Sequence, residues 1–420
     1  MSTRNASLPK NRREFLRTGA AAASVAAFPF PAIAQSAPRV VVIGGGFAGA
    51  SCARAIRKLE PKIAVTLVEP NPVFTACPFS NGVIAGLRNL LQQQFGYDGV
   101  RRDGVVVAQI AATAVDGAAR SVTLADGNTL FYDRLVMAPG IDINWAALPG
   151  YTEQAAEIMP HAWKAGAQTE LLRRQLEAMD DGGVVVISAP DNPFRCPPGP
   201  YERASLIAWY LKTRKPRSKL IVLDAKDNFS LQRLFRPAWE QLYPDIVKWV
   251  PQSEGGTVTR VDAGKMQVET DFETFKVDVA NIVPPQQAGR IAAVAGVADK
   301  TGWCPIDPVT FESRLVPGIH IVGDAAIGGG MAKSAYGATD QGRACAAAII
   351  GLMFGRKPME SELTNSCFSL AAPDVAFSTW GRYRPRDGLL AEIEGSGGSE
   401  RMDVAKAEAL FARMTKDAFG

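Results

Sequence analysis

Histidine is nearly missing from this chain: His161 and His320 are the only two in 420 residues. Neither stands at metal-ligand spacing from a partner, so no zinc-type site is legible. No Cys-x-x-Cys-His occurs, which excludes haem c on this polypeptide. Beyond the N-terminal region no stretch reaches the roughly 18 apolar residues of a transmembrane helix. Six cysteines, Cys52, Cys77, Cys196, Cys304, Cys345 and Cys367, are too few to hold a chain of this size together as a disulfide scaffold. A basic surface is also absent. Five of the 46 Lys and Arg residues and one of the 42 Asp and Glu residues fall within residues 1–34, leaving 41 of each. Such a balance points to neither nucleic acid nor an anionic membrane.

What is present is ordinary for a soluble α/β protein of two or three domains: 47% apolar and 21% charged residues, with 39 Gly and 28 Pro. The N-terminus stands apart. Arg12-Arg13 in the run 11–17 is followed by a mild apolar segment, 18–30, and then by Ala32-Ile33-Ala34, a small-x-small cleavage site. Residues 1–34 therefore read as a twin-arginine export signal removed on maturation, and the mature chain as a soluble periplasmic protein. That compartment permits disulfides.

Two strand-turn-helix units follow. In the first, residues 40–43 form a buried strand, Gly44-Gly45-Gly46-Phe47-Ala48-Gly49 a tight loop, and residues 48–59 a helix. Gly44 suits the sharp turn, Gly46 the close backbone approach and Gly49 the helix-to-sheet packing of a dinucleotide site. Glu69, closing the next strand, lies 20 residues beyond Gly49, as a ribose-binding carboxylate requires. Asp126-Gly127 marks a hairpin in a small crossover sheet. The segment 132–140 reads as a strand ending in a turn at Ala138-Pro139-Gly140. The second unit has its strand at residues 183–188, preceded by an expected helix over 162–179. Its turn runs from Ser188 to Pro200 and contains Pro190, Pro193, Pro197, Pro198 and Pro200, with Cys196 where a glycine belongs. Prolines remove N–H donors and block the approach of a pyrophosphate, so NAD(P)H is disfavoured there. Further strands are expected at 220–223, 257–261 and 266–269. The chain then returns through a strand over 318–322, ending at Gly323-Asp324, and a helix over 335–352. Residues 395–399, Gly-Ser-Gly-Gly-Ser, read as a flexible link before an amphipathic stretch, 401–419.

The residues alone leave several roles open. Asp324 suits either a cofactor hydroxyl or a helix N-cap. Cys77, in Ala76-Cys77-Pro78-Phe79-Ser80-Asn81, suits a buried apolar position or attachment to a flavin. Cys196 and Cys367, 171 positions apart, suit a redox pair, a structural disulfide or two free thiols. Glu202 lies on the first turn of a helix. It fits a general base as well as an acid placed by the helix dipole. Cys304 is ambiguous; Cys52 and Cys345 read as small apolar core residues.

Taken together, these motifs resemble the flavoprotein subunit of flavocytochrome c sulfide dehydrogenase, among the sulfide:quinone oxidoreductase-like flavoproteins with two dinucleotide-binding domains. The segments that carry the resemblance are the export signal, Ala76–Asn81, Phe194–Arg203, the run 302–307, Gly323-Asp324 and Asn365-Ser366-Cys367. It implies an α/β chain with two Rossmann-like domains of glutathione-reductase type and a C-terminal α+β domain. The implied segments are 38–147 with 285–354 for FAD, 148–284 for the second unit and 355–420 for the C-terminal domain. It also implies FAD held by Gly44, Gly46, Gly49, Glu69, Ala138, Gly140, Gly323 and Asp324 and linked through Cys77. A redox disulfide Cys196–Cys367, with Glu202 beside it, would oxidise sulfide to sulfur or polysulfide. Electrons would pass to a c-type cytochrome subunit. Two other readings stand beside this one: a sulfide:quinone oxidoreductase, and a partner of a thiosulfate-oxidising system without turnover of its own.

Overall fold

The computed structural model describes residues 37–420. The export signal read from residues 1–34 lies outside the described residues.

The first sheet is built on β1 (Arg39–Ile43), whose Val40 to Ile43 are all buried. A run apolar on both faces is what a parallel sheet covered on both sides demands. β1 pairs in parallel with Ala64–Val68 and with Arg134–Met137; Val106–Ala108 and Ile319–Ile321 extend the two edges. The chain thus leaves β1 in both directions, which opens a crevice at the carboxyl end of the strand. α1 (Phe47–Leu59) starts there. Between strands, Ala112–Asp116, Ser121–Leu124 and Thr129–Phe131 form the small antiparallel sheet, and Gly127 turns its hairpin at φ +85°.

The second sheet places Val247–Val250, Lys219–Asp224, β2 (Val184–Ala189) and Val279–Ile282 side by side in parallel. β2 stands at its point of reversal, as β1 does in the first sheet. The loop after β2 leads to α2 (Gly199–Arg214). The strands expected at 257–261 and 266–269 form as Val258–Asp262 and Gln267–Thr270, but not in this sheet. They pair with Thr274–Lys276 in an antiparallel sheet of their own. Most of their residues are only half-buried, and a parallel sheet would need both faces covered.

The helix expected over 162–179 is shorter, Ala167–Ala178. Residue Ala162 has φ +46°. The carbonyls of His161, Ala162 and Trp163 are used by Arg203, Asn281 and Arg195 instead of by a helix. Side-chain donors elsewhere in the chain have outcompeted helical propensity.

α3 (Ala335–Met353) crosses α1 closely. A Cβ at Gly342 would stand 2.4 Å from the Ala48 carbonyl oxygen, so only glycine permits the approach. β3 (Leu363–Ala372) opens the C-terminal antiparallel sheet and pairs with Val375–Arg386, which also pairs with Leu389–Glu392 and Gly398–Met402. The last two residues of the segment read as a flexible link therefore belong to a strand. Gly398 lies opposite Trp380, and a Cβ on it would stand 2.8 Å from the indole. Small residues there make room for a ring, and backbone bonds supply the order. α4 (Val404–Phe419) turns Phe411, Met414 and Phe419 inward. Phe419 sits within about 6 Å, centroid to centroid, of Phe47, Phe74, Phe95 and Tyr97. The apolar face of the amphipathic stretch is buried within its own chain.

Candidate functional site

The loop after β1 has the geometry its glycines predict. Gly44 has φ +98°, and a Cβ there would lie 2.2 Å from the Ala138 carbonyl oxygen; one on Gly49 would lie 1.9 Å from the Gly44 carbonyl oxygen. The loop, the 138–140 turn and α1 are thus pressed together without side chains between them. Gly46 is the N-cap of α1 and offers no side-chain cap, so the first-turn N–H groups stay free for an anion. Glu69 accepts the Gly45 N–H at 2.9 Å and the Asn71 N–H at 2.9 Å, which fixes its carboxylate against the loop.

One cavity is lined by Gly46, Ala138, Gly140, Gly323 and Asp324, and also by Cys77, Cys196, Glu202 and Cys367. Asp324 shows that this cavity suits a polyhydroxylated ligand. Its Oδ1 is buried with no hydrogen-bond partner. Burial raises its carboxyl above the usual range, against the pull of Arg195 and Lys333. An acceptor left open in this way fits a hydroxyl donor such as the ribityl chain of FAD. The free helix N-terminus fits its pyrophosphate.

Three cysteines reach this cavity from three elements. Cys77 precedes the short helix Ser80–Ala85 and donates its thiol to the Trp163 carbonyl at 3.8 Å. Cys196 stands in the loop between β2 and α2 with φ +56°, the left-handed region that favours glycine. Its N–H bonds to the Lys333 carbonyl at 2.9 Å and its carbonyl accepts from Gly199. Cys367 lies on β3 opposite Thr379. Both Cys196 and Cys367 are free thiols in this structure. Burial raises the Cys196 thiol well above its ordinary value, and Cys367 and Glu202 add to the rise. The Cys367 thiol is pushed up to about 11 by burial, against a hydrogen bond from Ser334.

Glu202 is buried on the first turn of α2. One carboxylate oxygen accepts from Asn81 Nδ2 at 2.7 Å and the other accepts the Leu370 N–H at 2.9 Å. Burial lifts it to about 7, and the hydrogen bonds from Leu370 and Asn81 and the nearby charge of Arg203 restrain the rise. A carboxyl poised at neutrality inside a cavity of thiols can take and return a proton. Arg203, only 2% exposed, donates to Asn81 Oδ1, Asn281 Oδ1 and the His161 and Ala162 carbonyls, and lies 5.0 Å over the Trp163 ring. All four acceptors are neutral. Asn81 therefore joins a buried cation to a buried acid without letting them touch.

Sequence reasoning missed Asn81, Arg195, Arg203, Trp163 and Lys333. Arg195 carried a usable signal, since it adjoins Cys196 and donates to the Trp163 carbonyl. Lys333 carried none. Its ammonium bonds the Asp324 and Ala326 carbonyls, lies 4.0 Å over Trp303 and is lowered to about 8 by burial. Cys304 is fully buried beside it, outside the cavity lining, with its thiol pushed up to about 12 by burial. Cys52 and Cys345 are fully buried core residues, and His161 and His320 are buried with their imidazoles lowered to about 4 by desolvation. Among the described residues no group of three His, Cys, Asp or Glu side chains can hold a metal. No helix there is long and apolar enough to cross a membrane.

Comparison with known proteins agrees with this geometry. The pyridine nucleotide-disulphide oxidoreductase family matches residues 38–187. The central region of the sulfide dehydrogenase [flavocytochrome c] flavoprotein chain matches 169–284, and the flavin-binding region of flavocytochrome c sulphide dehydrogenase matches 359–419. The sulfide dehydrogenase flavoprotein chain of Chlorobaculum thiosulfatiphilum is 67% identical over 45 residues, 11% of this chain and 94% of that sequence. The mitochondrial sulfide:quinone oxidoreductase of Dictyostelium discoideum is 20% identical over 298 residues, 69% of this chain and 66% of that one. In fold, the sulfide:quinone oxidoreductase of Aquifex aeolicus matches with TM-score 0.75 at 19% identity, covering 91% of this chain and 92% of that one. Putidaredoxin reductase, in its covalent complex with putidaredoxin, matches with TM-score 0.65 at 17% identity, covering 91% and 94%. The fold is the α/β fold of those oxidoreductases, with two Rossmann-like units.

Proposed function

The chain belongs to the family of flavocytochrome c sulfide dehydrogenase flavoprotein chains, sulfide-oxidising flavoproteins that bind FAD, and from that premise we propose that it oxidises sulfide through a Cys196–Cys367 disulfide, as the flavoprotein subunit that passes electrons to a c-type cytochrome subunit. The single observation that carries the reading is the convergence of Cys196, Cys367 and Glu202 on the cavity that also presents the nucleotide loop. Bound FAD supplies a two-electron acceptor that releases electrons singly.

The residues divide the work as follows. Hydrosulfide attacks one sulfur of the disulfide, and the other leaves as a thiolate. Glu202 takes the proton that hydrogen sulfide brings and holds it close to both sulfurs. The high values of the thiols matter here. A thiolate that burial disfavours is a strong electron donor once formed. Arg203 and Arg195 supply positive charge where anionic sulfur gathers. Asp324 and the first turn of α1 hold the cofactor, and Cys77 is its covalent anchor. The proline-rich turn before α2 keeps a nicotinamide cofactor out, so electrons enter through sulfur.

A cytochrome acceptor is favoured over a quinone because α4, an amphipathic helix of the kind that can lie on a membrane surface, buries its apolar face internally. With no haem-attachment motif in its sequence, the chain would meet haem on a partner. The export signal read from residues 1–34 supports a periplasmic complex. Sulfide-dependent turnover of the purified protein is to be followed with a c-type cytochrome and with a soluble quinone analogue. Faster reduction of the cytochrome supports the reading, and exclusive reduction of the quinone analogue overturns the acceptor assignment.

A further inference from the structure

Cys367 lines two cavities. One is the cavity that presents the nucleotide loop and Glu202. The other, of about 370 Å³, is walled by Pro197, Ser230, Asn365, Thr379, Gly381 and Tyr383, and Cys367 is the one residue the two share. Strand pairing explains why the second pocket lies against this cysteine. Cys367 stands opposite Thr379, Asn365 opposite Gly381 and Leu363 opposite Tyr383. Directly opposed residues, and residues two apart on a strand, share one face of a sheet. The Cys367 side chain therefore leaves β3 on the face where Thr379, Gly381 and Tyr383 form the wall. The facing wall comes from Ser230 and from Pro197 and Pro198, which directly follow Cys196. Pro197, Ser230 and Thr379 are half-buried and Trp380, also in the lining, is 38% exposed, so the rim meets solvent. Asn365, from this pocket, accepts a hydrogen bond from Ser334, from the other, and donates to the Ala332 carbonyl at 3.0 Å. Bonded side chains thus join the two spaces beside Cys367.

We propose that this second pocket is a port through which hydrosulfide reaches the Cys196–Cys367 pair and oxidised sulfur leaves it. The inference rests on the proposed sulfide chemistry and adds its route. The first cavity is the one that fits FAD, and a port that reaches Cys367 from the second pocket serves the pair without passing through the cofactor site. The wall suits what would move along it. Pro197, Pro198, Trp380 and Tyr383 present proline and aromatic surface, which favours uncharged, polarisable sulfur. No acidic residue lines the pocket, so its wall puts no carboxylate in the path of an anionic nucleophile.

The test uses the FAD-loaded full chain with the cysteine pair reduced by a phosphine. Iodoacetamide at mildly alkaline pH, followed by peptide mass mapping, reads how accessible each thiol is. Cys367 should be alkylated in the unmodified protein, and its complete protection overturns the proposal. Ser230→Trp and Thr379→Phe narrow the pocket from facing walls. Each should keep its FAD and its reduction by dithionite. In each, alkylation of Cys367 and the dependence of flavin reduction on sulfide concentration should both fall about tenfold, the scale of an overpacked contact. The limiting rate at saturating sulfide should hold. Ser230→Ala, which leaves the pocket open, should match the unmodified protein in both. Unchanged alkylation and unchanged sulfide dependence in the narrowed variants overturn the port and leave the sulfide reading intact. Failure of sulfide to reduce the flavin of the unmodified protein overturns that reading itself.

Discussion

Glu202 accepts the backbone N–H of Leu370 at 2.9 Å, so one carboxylate ties the helix that follows Cys196 to the strand that carries Cys367. Its other oxygen is held by Asn81, four residues beyond Cys77. The acid thus touches all three cysteine-bearing segments through one group. The proposed proton exchange with the cysteine pair rests on that position.

Replacing Glu202 with Gln tests the first role. General acid–base catalysis is worth about 10²–10⁴-fold, so sulfide-dependent flavin reduction should slow on that scale while FAD content stays constant. The wild-type rate should rise with pH through about 7, where the carboxyl ionises. Hydrogen sulfide titrates nearby, so the informative quantity is the difference between the two pH profiles. Identical profiles would remove Glu202 from the mechanism.

Stability has its own pH signature. The Glu202 carboxyl ionises at about 7 in the fold, against an ordinary 4.5. The protonated form is favoured by folding, so its contribution is fully present below 4.5 and is lost as pH rises through 7. Denaturant titrations between those limits should show a smaller loss for Glu202→Gln than for the wild type.

Asn81→Ala removes the donor to Glu202 and the acceptor for Arg203 together. Leaving buried polar partners unmade costs about 1–3 kcal/mol. The Asn81 contact lowers the Glu202 carboxyl, so the inflection in the sulfide pH profile should move to higher pH. A shift to lower pH would contradict the assigned network.

Covalent attachment through Cys77 is open to a denaturing mass measurement. The account expects the mass of FAD on the peptide containing Cys77, and non-covalent, extractable FAD in Cys77→Ser. Release of FAD from the wild type by denaturant would refute the link.

Phe419 provides a test remote from the chemistry. It packs against Phe47 and Phe74, both of which line the cavity. Phe419→Ala should cost about 3–5 kcal/mol, seen as a lower thermal midpoint, and should weaken FAD retention.

Much of this site was legible because local rules act on local residues. Gly44 and Gly49 each meet a contact that only glycine allows, and Cys196 occupies a left-handed position that announces itself as a misplaced glycine. The rest depended on distant partners. Arg203 reaches Asn81 across 122 positions and Asn281 across 78, and it takes the His161 and Ala162 carbonyls, which a helix would pair with the N–H groups of residues 165 and 166. No single-chain pattern reveals such competition. The glycine-rich run at 395–399 misled for a related reason, since its partner Trp380 lies outside the run, on another strand.

The central claim is that electrons enter the flavin through the cysteine pair. It is tested most directly by mixing sulfide, and separately NADH, with the FAD-loaded protein without oxygen and following flavin absorbance. The account predicts rapid bleaching by sulfide, none by NADH, and no bleaching by sulfide in Cys196→Ser or Cys367→Ser proteins that dithionite still reduces. Rapid bleaching of either cysteine variant by sulfide would contradict it.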